Sequence, residues 1–306
     1  MKLLFFLILS FVIISCTVST SQFYSSQKKL TSEEGIFLDS LLMPEGFSVE
    51  VYGRVDNARS MAMSPDGTLF VGNKTNGAVY ALQDRNNDMK ADTLYTIAKD
   101  LNMPNGIAFK EGALYVAELN KLWRYDAIED NLNDPRATLI YDDFPKDSHH
   151  GWKYIAFGPD DKLYVPVGAP CNVCETKEDT YYASIIKMDA DGTNRQIVAK
   201  GVRNTVGLAW HPITEEMWFT DNGRDLLGDD LPPCELNRLS MVGQHFGFPY
   251  CHAGQLLDPE FGKGKSCENY PPPALKLEPH VAPLGLKFYT GNMFPPSYQN
   301  KIIIAE

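Results

Sequence analysis

A repeat constrains this chain more than any other feature. An apolar triplet, a turn built on Pro-Asp and a second apolar triplet run as Met61-Ala62-Met63, Ser64-Pro65-Asp66-Gly67 and Leu69-Phe70-Val71. The same order returns as Ile155-Ala156-Phe157, Gly158-Pro159-Asp160-Asp161 and Leu163-Tyr164-Val165. Looser copies are Ile107-Ala108-Phe109 with Leu114-Tyr115-Val116, Leu208-Ala209-Trp210 with Met217-Trp218-Phe219, and Leu286-Lys287-Phe288 with Ile302-Ile303-Ile304. Pro-Asp-Gly favours a reversal between strands, and the flanking β-branched and aromatic residues suit buried, pleated surfaces. Leu69, Leu114, Leu163 and Met217 are equivalent points, separated by 45, 49 and 54 residues. That period is the size of one four-stranded blade, so the expected fold is all-β, a six-bladed β-propeller.

Five blade starts are visible, and the sequence stops at Glu306, inside the fifth. The expectation is therefore an incomplete propeller over residues 31–306, with about five blades of six and a C-terminally truncated chain. Phe47 to Gly53 (FSVEVYG) reads as an outer strand that would pair with a C-terminal partner. Asp225 to Pro283 departs from the period and carries Cys234, Cys251, Cys267 and Pro271-Pro272-Pro273. It reads as a loop insertion over one face, and loops are where such scaffolds place ligand sites.

The first 30 residues stand apart from this pattern. Lys2 precedes an apolar run from Leu3 to Ile14, too short to span a bilayer comfortably, followed by Ser15-Cys16 and a Ser/Thr-rich stretch. This is the pattern of an export signal. Ile13-Ile14-Ser15-Cys16 resembles the lipobox of bacterial lipoproteins, which makes Cys16 the candidate lipidation site. The chain is then expected in the periplasm or on the outer membrane, touching membrane only through its lipid anchor. A formal net charge of −11 without a Lys/Arg cluster argues against a nucleic-acid partner and towards a small molecule. After Cys16 there are five cysteines, Cys171, Cys174, Cys234, Cys251 and Cys267. In an oxidising compartment such residues pair, so at least one thiol is left over, and Cys171-Asn172-Val173-Cys174 reads as a local disulfide or a structural loop.

The chemistry is concentrated between Lys200 and Asn237. Here a planar cation (Arg203) and an amide (Asn204) precede a strand-turn-strand unit, and the loop after its second strand is rich in oxygen ligands (Asn222-Gly223-Arg224-Asp225). Such a set suits an anionic planar ligand and a hard cation.

Arg203-Asn204 with Gly207-Leu208-Ala209, the Asn222–Asp225 loop, His149-His150 ahead of Gly158-Pro159-Asp160, and Phe246-Gly247-Phe248-Pro249 follow one another in fixed order. Together they resemble the soluble quinoprotein sugar dehydrogenases, in particular the sorbosone dehydrogenase branch, from about residue 44 onwards. The resemblance implies a six-bladed propeller that binds pyrroloquinoline quinone (PQQ) and Ca²⁺, oxidises an aldose or related sugar and passes electrons to an external acceptor. Carried over by position, His150 corresponds to the general base, with His149 as the alternative. Arg203 and Asn204 correspond to quinone contacts, and Gly223, Arg224 and Asp225 to the calcium loop, largely through backbone oxygens. The assignments are chemically coherent. An imidazole can take the alcohol proton as hydride leaves, Arg offers a forked contact to a tricarboxylate, and Ca²⁺ polarises the accepting carbonyl.

The departures are informative too. Glucose-oxidising members of that family carry an acidic residue where this chain has Gly168-Ala169-Pro170, so glucose specificity is not implied. Asp84 to Asp92 alternates oxygen side chains like a calcium loop, but Tyr95 stands where an EF-hand needs its bidentate Glu, which leaves a polar hairpin turn as the simpler reading. His211, His245, His252 and His280 carry no motif and are expected in structural roles. Two other classes share the expected architecture: a calcium-dependent propeller lactonase, which would draw carboxylate and amide ligands from several blades, and a non-catalytic propeller that binds carbohydrate or protein.

Overall fold

The computed structural model describes residues 41–177 and 180–306, together with Leu38. The export signal and Cys16 lie outside the described residues. From Ala58 onwards the chain is a series of antiparallel meanders. The first sheet is β1 (Ala58–Met63), β2 (Leu69–Asn73), β3 (Val79–Gln83) and β4 (Thr93–Ala98). The second is β5 (Gly106–Lys110), β6 (Ala113–Ala117), β7 (Leu122–Tyr125) and β8 (Ala137–Tyr141). The third contains β9 (Ala156–Phe157), β10 (Leu163–Val167), β11 (Ser184–Met188) and β12 (Gln196–Lys200), and the fourth begins with β13 (Leu208–Trp210), β14 (Met217–Asp221) and β15 (Glu235–Arg238). Four short strands follow: β16 (Gln244–His245), β17 (Cys251–His252), β18 (Leu256–Leu257) and β19 (Leu275–Lys276). A two-stranded sheet of β20 (Leu286–Phe288) and β21 (Ile302–Ile304) comes last.

These are four blades of a propeller-like array, each begun by a repeat found in the sequence, with a two-stranded sheet at the fifth repeat. The turns explain the spacing. In the first blade Gly67 (φ 88°) donates its N–H to the Ser64 carbonyl at 3.1 Å, and Ser64 N–H donates to Thr68 O at 2.9 Å. Asp161 occupies the matching place in the third blade at φ 61° and donates to Gly158 O at 3.1 Å. Asp is one of the few residues besides Gly that visits this left-handed region readily.

The core lies between blades. Successive side chains of a strand point to opposite faces. In β6, Leu114 and Val116 therefore pack with Phe70 and Ile107 towards the first blade, while Tyr115 and Ala117 pack with Leu163 and Val165 towards the third. A blade covered on both faces needs apolar residues at every position, and β6 and β10 are buried throughout. Tyr164, Ile185, Leu208 and Phe219 fill the next interface.

Two expectations are corrected. Asp225–Pro283 is not one insertion: β15 pairs with β14, and β19 pairs with β15, so both complete the fourth blade. The true insertions are the loop before Glu235 and the segment between Arg238 and Leu275. The second is closed by the Cys251–Cys267 disulfide and contributes β16 as a parallel neighbour of β12. Phe47 to Gly53 forms no strand. Its Tyr52 carbonyl accepts the Ala91 N–H at 2.7 Å, and the Phe47 ring packs 4.8 Å from Phe294 and 5.2 Å from Tyr298, so side-chain packing rather than a ladder holds it.

In a meander, the loop between second and third strands and the loop to the next blade emerge at the same end of the sheet. His150 (β8 to β9), Asn172 (β10 to β11), Arg203 and Asn204 (β12 to β13) and the Gly223–Asp225 loop (β14 to β15) therefore share one end. Asp84–Asp92 joins β3 to β4 at the opposite end. Its carboxylates cap its own turn, with Asp84 Oδ2 accepting from Met89 N at 2.8 Å and Asp92 Oδ2 from Arg85 N at 2.7 Å, as a polar hairpin requires.

Candidate active site

His150 sits half-buried at φ 50° with its ring 4.0 Å from that of His149. Its Nδ1 lies 2.9 Å from the Ala169 carbonyl oxygen. A carbonyl only accepts, so Nδ1 carries the proton and Nε2 keeps its lone pair. Burial, then the positive charge of Arg203, then His149 push the His150 pKa down to about 4. The ring is thus neutral across the physiological range and ready to take a proton. His149 is exposed, and among the described residues its ring has no hydrogen-bond partner.

Glycine makes the approach possible. A Cβ on Gly168 would lie 2.5 Å from His150 Cβ, 2.8 Å from His150 O and 3.3 Å from Asn204 Oδ1. Gly151 is equally confined, a Cβ there meeting Asp147 O at 2.2 Å. The Gly151 carbonyl in turn accepts from the buried Lys153 ammonium at 2.5 Å, and burial lowers the Lys153 pKa to about 7.

Arg203 and Asn204 are presented by a carboxylate that the sequence reading missed. Asp221, the last residue of β14, is buried and accepts the backbone N–H of Arg203 at 2.9 Å and that of Asn204 at 2.6 Å. Ala169 completes the link by donating its N–H to Arg203 O at 2.8 Å while its carbonyl holds His150. His150 and Arg203 are therefore registered to each other through one residue. Glu235 is the cross-strand partner of Asp221, and it accepts from Ala253 N at 2.7 Å and Asn237 Nδ2 at 2.8 Å. Burial and their mutual repulsion favour the protonated form of this pair. Asp221→Ala would orphan two buried N–H groups, at roughly 1–3 kcal/mol each. Urea unfolding should show a loss of about 2–6 kcal/mol, with Asp221→Asn losing less because one acceptor oxygen remains.

The guanidinium of Arg203 is buried, and its Nε, Nη1 and Nη2 all have protein partners. The Asn204 side chain is different: the residue is 8% exposed, yet its amide has no hydrogen-bond partner among the described residues. Its polar atoms are not among the fully buried ones that lack partners, so they stay open to water or a ligand. In the Gly223–Asp225 loop, no described residue donates to the carbonyl oxygens of Gly223 or Arg224. Asp225 keeps its carboxylate 65% exposed, 3.3 Å from Arg203 Nη2. The Arg224 side chain turns away into the insertion and pairs with Asp258 Oδ2 at 2.5 Å, which His252 Nε2 also meets at 2.9 Å. Burial opposes the Asp258 charge, but the hydrogen bonds from His252, Phe261 N, Arg224 and Glu260 N win and hold its pKa to about 2. A cavity of about 10 Å³, room for about one water, is lined by Asp221, Glu235, Arg224 and His252 among others.

The profile of the Glucose / Sorbosone dehydrogenase family matches residues 108–306. The chain belongs to the glucose/sorbosone dehydrogenase family. An uncharacterised protein of Borreliella burgdorferi is 33% identical over 302 residues, covering 94% of this chain and 76% of its own length. Among solved structures, a calcium structure of a Trichoderma reesei carbohydrate-active enzyme of family AA12 superposes with a TM-score of 0.68 at 21% identity, over 76% of this chain and 71% of that one. The PQQ-bound form of aldose sugar dehydrogenase from Streptomyces coelicolor gives 0.59 at 18% identity, over 76% and 72%. These likenesses establish a shared propeller-like fold, and the family match spans every candidate site residue from His150 to Asp225.

The remaining motif residues of this family member have visible tasks. Phe246 and Phe248 are buried, and each donates its N–H to the β12 end, to Lys200 O at 2.8 Å and Gly201 O at 3.0 Å. His211, His245, His252 and His280 are each satisfied by a neighbouring turn, carboxylate or carbonyl, as structural histidines are. Cys171 and Cys174 are bonded to each other, and among the described residues Cys234 is the free thiol, buried.

Proposed function

We propose that the protein is a quinoprotein dehydrogenase on a six-bladed propeller, oxidising an aldose or related sugar at a carbinol with His150 as the base. The observation that carries this is the His150 imidazole, with Nδ1 tied to the Ala169 carbonyl and Nε2 left basic beside the Arg203 cation. The residues present fit the implied cofactors. The unpartnered Asn204 amide and the Arg203 charge suit a planar polyanion, and the free carbonyls of Gly223 and Arg224, with the Asp225 carboxylate beside them, suit a hard oxygen-seeking cation. PQQ bound with Ca²⁺ would supply the hydride acceptor and its electrophilic polarisation.

The chain's own part is proton and charge management. His150 Nε2 accepts the hydroxyl proton of the sugar, and the Ala169 carbonyl stabilises the resulting imidazolium through Nδ1–H. Arg203 provides positive charge in a buried setting where it is weakly screened. An external acceptor then removes the electrons. The pKa direction sets the pH dependence. Because burial and Arg203 lower the His150 pKa to about 4, the basic form predominates above that value and is lost below it. The acid limb of kcat/KM should fall near pH 4; a limb near 6.5 would mean an unperturbed imidazole.

A lactonase would draw carboxylate and amide ligands from several blades onto one cation; among the described residues no three His, Cys, Asp or Glu side chains come together, so such a site would have to rest mainly on amides and carbonyls. Dye reduction across a panel of aldoses, run with quinone and Ca²⁺ beside lactone hydrolysis, tests the reading. Sugar-dependent dye reduction supports it, and hydrolysis without quinone overturns it. Export and lipidation at Cys16 belong to the same proposal and predict that Cys16→Ser removes acyl labelling from the expressed protein.

A further inference from the structure

The disulfide between Cys171 and Cys174 closes a short turn in the β10–β11 loop, and Asn172 is the residue that turn presents to the site. Its main-chain carbonyl accepts Arg203 Nε at 2.8 Å, and its Oδ1 accepts Arg203 Nη2 at 2.8 Å. The same Oδ1 accepts Asp225 N at 2.8 Å, while Nδ2 donates to Asp225 O at 3.1 Å. One residue therefore holds the guanidinium and the end of the Gly223–Asp225 loop together.

A guanidinium has five N–H donors in one plane. Asn172 takes two of them along the Nε/Nη2 edge, while Asn222 O at 3.2 Å and Asp225 Oδ2 at 3.3 Å take two more. One N–H, on Nη1, is left for a ligand. Gripping the Nε/Nη2 edge fixes the plane, and with it the direction of that remaining donor. The forked contact that the sequence suggests Arg203 makes to a ligand is thus made to Asn172. Neutrality matters as well: an Asp at 172 could grip the same edge, but it would cancel the charge that an anionic ligand needs.

We propose that Asn172, presented by the Cys171–Cys174 turn, is a positioning residue that sets the plane of the Arg203 guanidinium and ties it to the Asp225 loop for binding a planar polyanion. The identity of that polyanion as PQQ rests on the function proposed above. Two measurements separate the two ideas. Solvent exchange of the Arg203 Nη2–H, followed by NMR in the ligand-free full-length protein, reads the positioning by the Asn172 side chain alone. Equilibrium PQQ titration with Ca²⁺ reads its consequence.

Asn172→Ala keeps the main-chain carbonyl that accepts Nε but removes the Oδ1 that accepts Nη2, so it should speed Nη2–H exchange by about tenfold or more and weaken PQQ binding by about 10- to 100-fold, the loss of one hydrogen bond to a charged group. Asn172→Asp retains a side-chain acceptor and should keep the Nη2–H protected, yet weaken PQQ and flatten its salt dependence. In an Arg203→Ala background, Asn172→Ala should have little further effect on PQQ, because it acts through the arginine. Unchanged exchange in Asn172→Ala overturns the proposal, as do additive effects of the two alanine variants. If Asn172→Ala fails to fold, Asn172→Asp decides: undiminished PQQ affinity in that variant overturns the proposal. Failure of the unaltered protein to bind PQQ overturns the quinone reading, and the exchange measurement then decides the role of Asn172.

Discussion

His150→Asn should lower dye-linked sugar oxidation by about 10²- to 10⁴-fold, the usual worth of a positioned acid-base group, while leaving the affinity for quinone and Ca²⁺ nearly unchanged. The substitution is chosen for geometry. An Asn amide can still donate to the Ala169 carbonyl, which His150 meets at 2.9 Å, but it offers no basic nitrogen towards the substrate. Asn also tolerates the left-handed backbone at φ 50° better than Ala does. A loss in kcat at constant quinone affinity marks a group used in the chemical step. His149→Asn is the control, and an inactive His149→Asn beside an active His150→Asn would reassign the base.

Gly168→Ala is expected to be nearly as damaging, although residue 168 carries no chemistry. Its new methyl would lie 2.5 Å from His150 Cβ and 2.8 Å from His150 O, and neither is the movable end of a flexible side chain. The His150 segment must shift, and Asn204 Oδ1, 3.3 Å from the methyl, lies in the same path. Misplacement of a catalytic group by about 1 Å can cost about 10²-fold in rate. Overpacking of this kind also destabilises by about 1–3 kcal/mol, so the melting temperature should drop by a few degrees together with kcat. Activity and melting temperature equal to the parent protein would show that the loop relaxes freely.

The blades were legible because their signal is local. Pro-Asp turns and apolar triplets repeat at a near-constant period, and each repeat in the sequence starts a sheet in the structure. The third strand of the fourth blade was not legible. Glu235–Arg238 is four residues long, follows Pro232-Pro233 and buries a glutamate, so it resembles loop more than strand. The site divides along the same line. His150, Arg203 and Asn204 stand in motifs, but the residues that arrange them do so across long sequence separations. Asp221 binds residues 17 and 18 positions earlier, and Asn172 binds residues 31 and 53 positions later. A buried Asp at the end of an apolar strand was the one signal that pointed to Asp221. Nothing in Cys-Asn-Val-Cys distinguishes an asparagine that grips an arginine from one that merely fills a turn.

A crystal structure of the protein with PQQ and Ca²⁺ tests the central claim most directly. The account predicts the quinone in contact with the Asn204 amide and within reach of His150 Nε2 and Arg203 Nη1, and Ca²⁺ on the carbonyls of Gly223 and Arg224. Quinone bound elsewhere, or Ca²⁺ held instead by side chains on another part of the propeller, would contradict it.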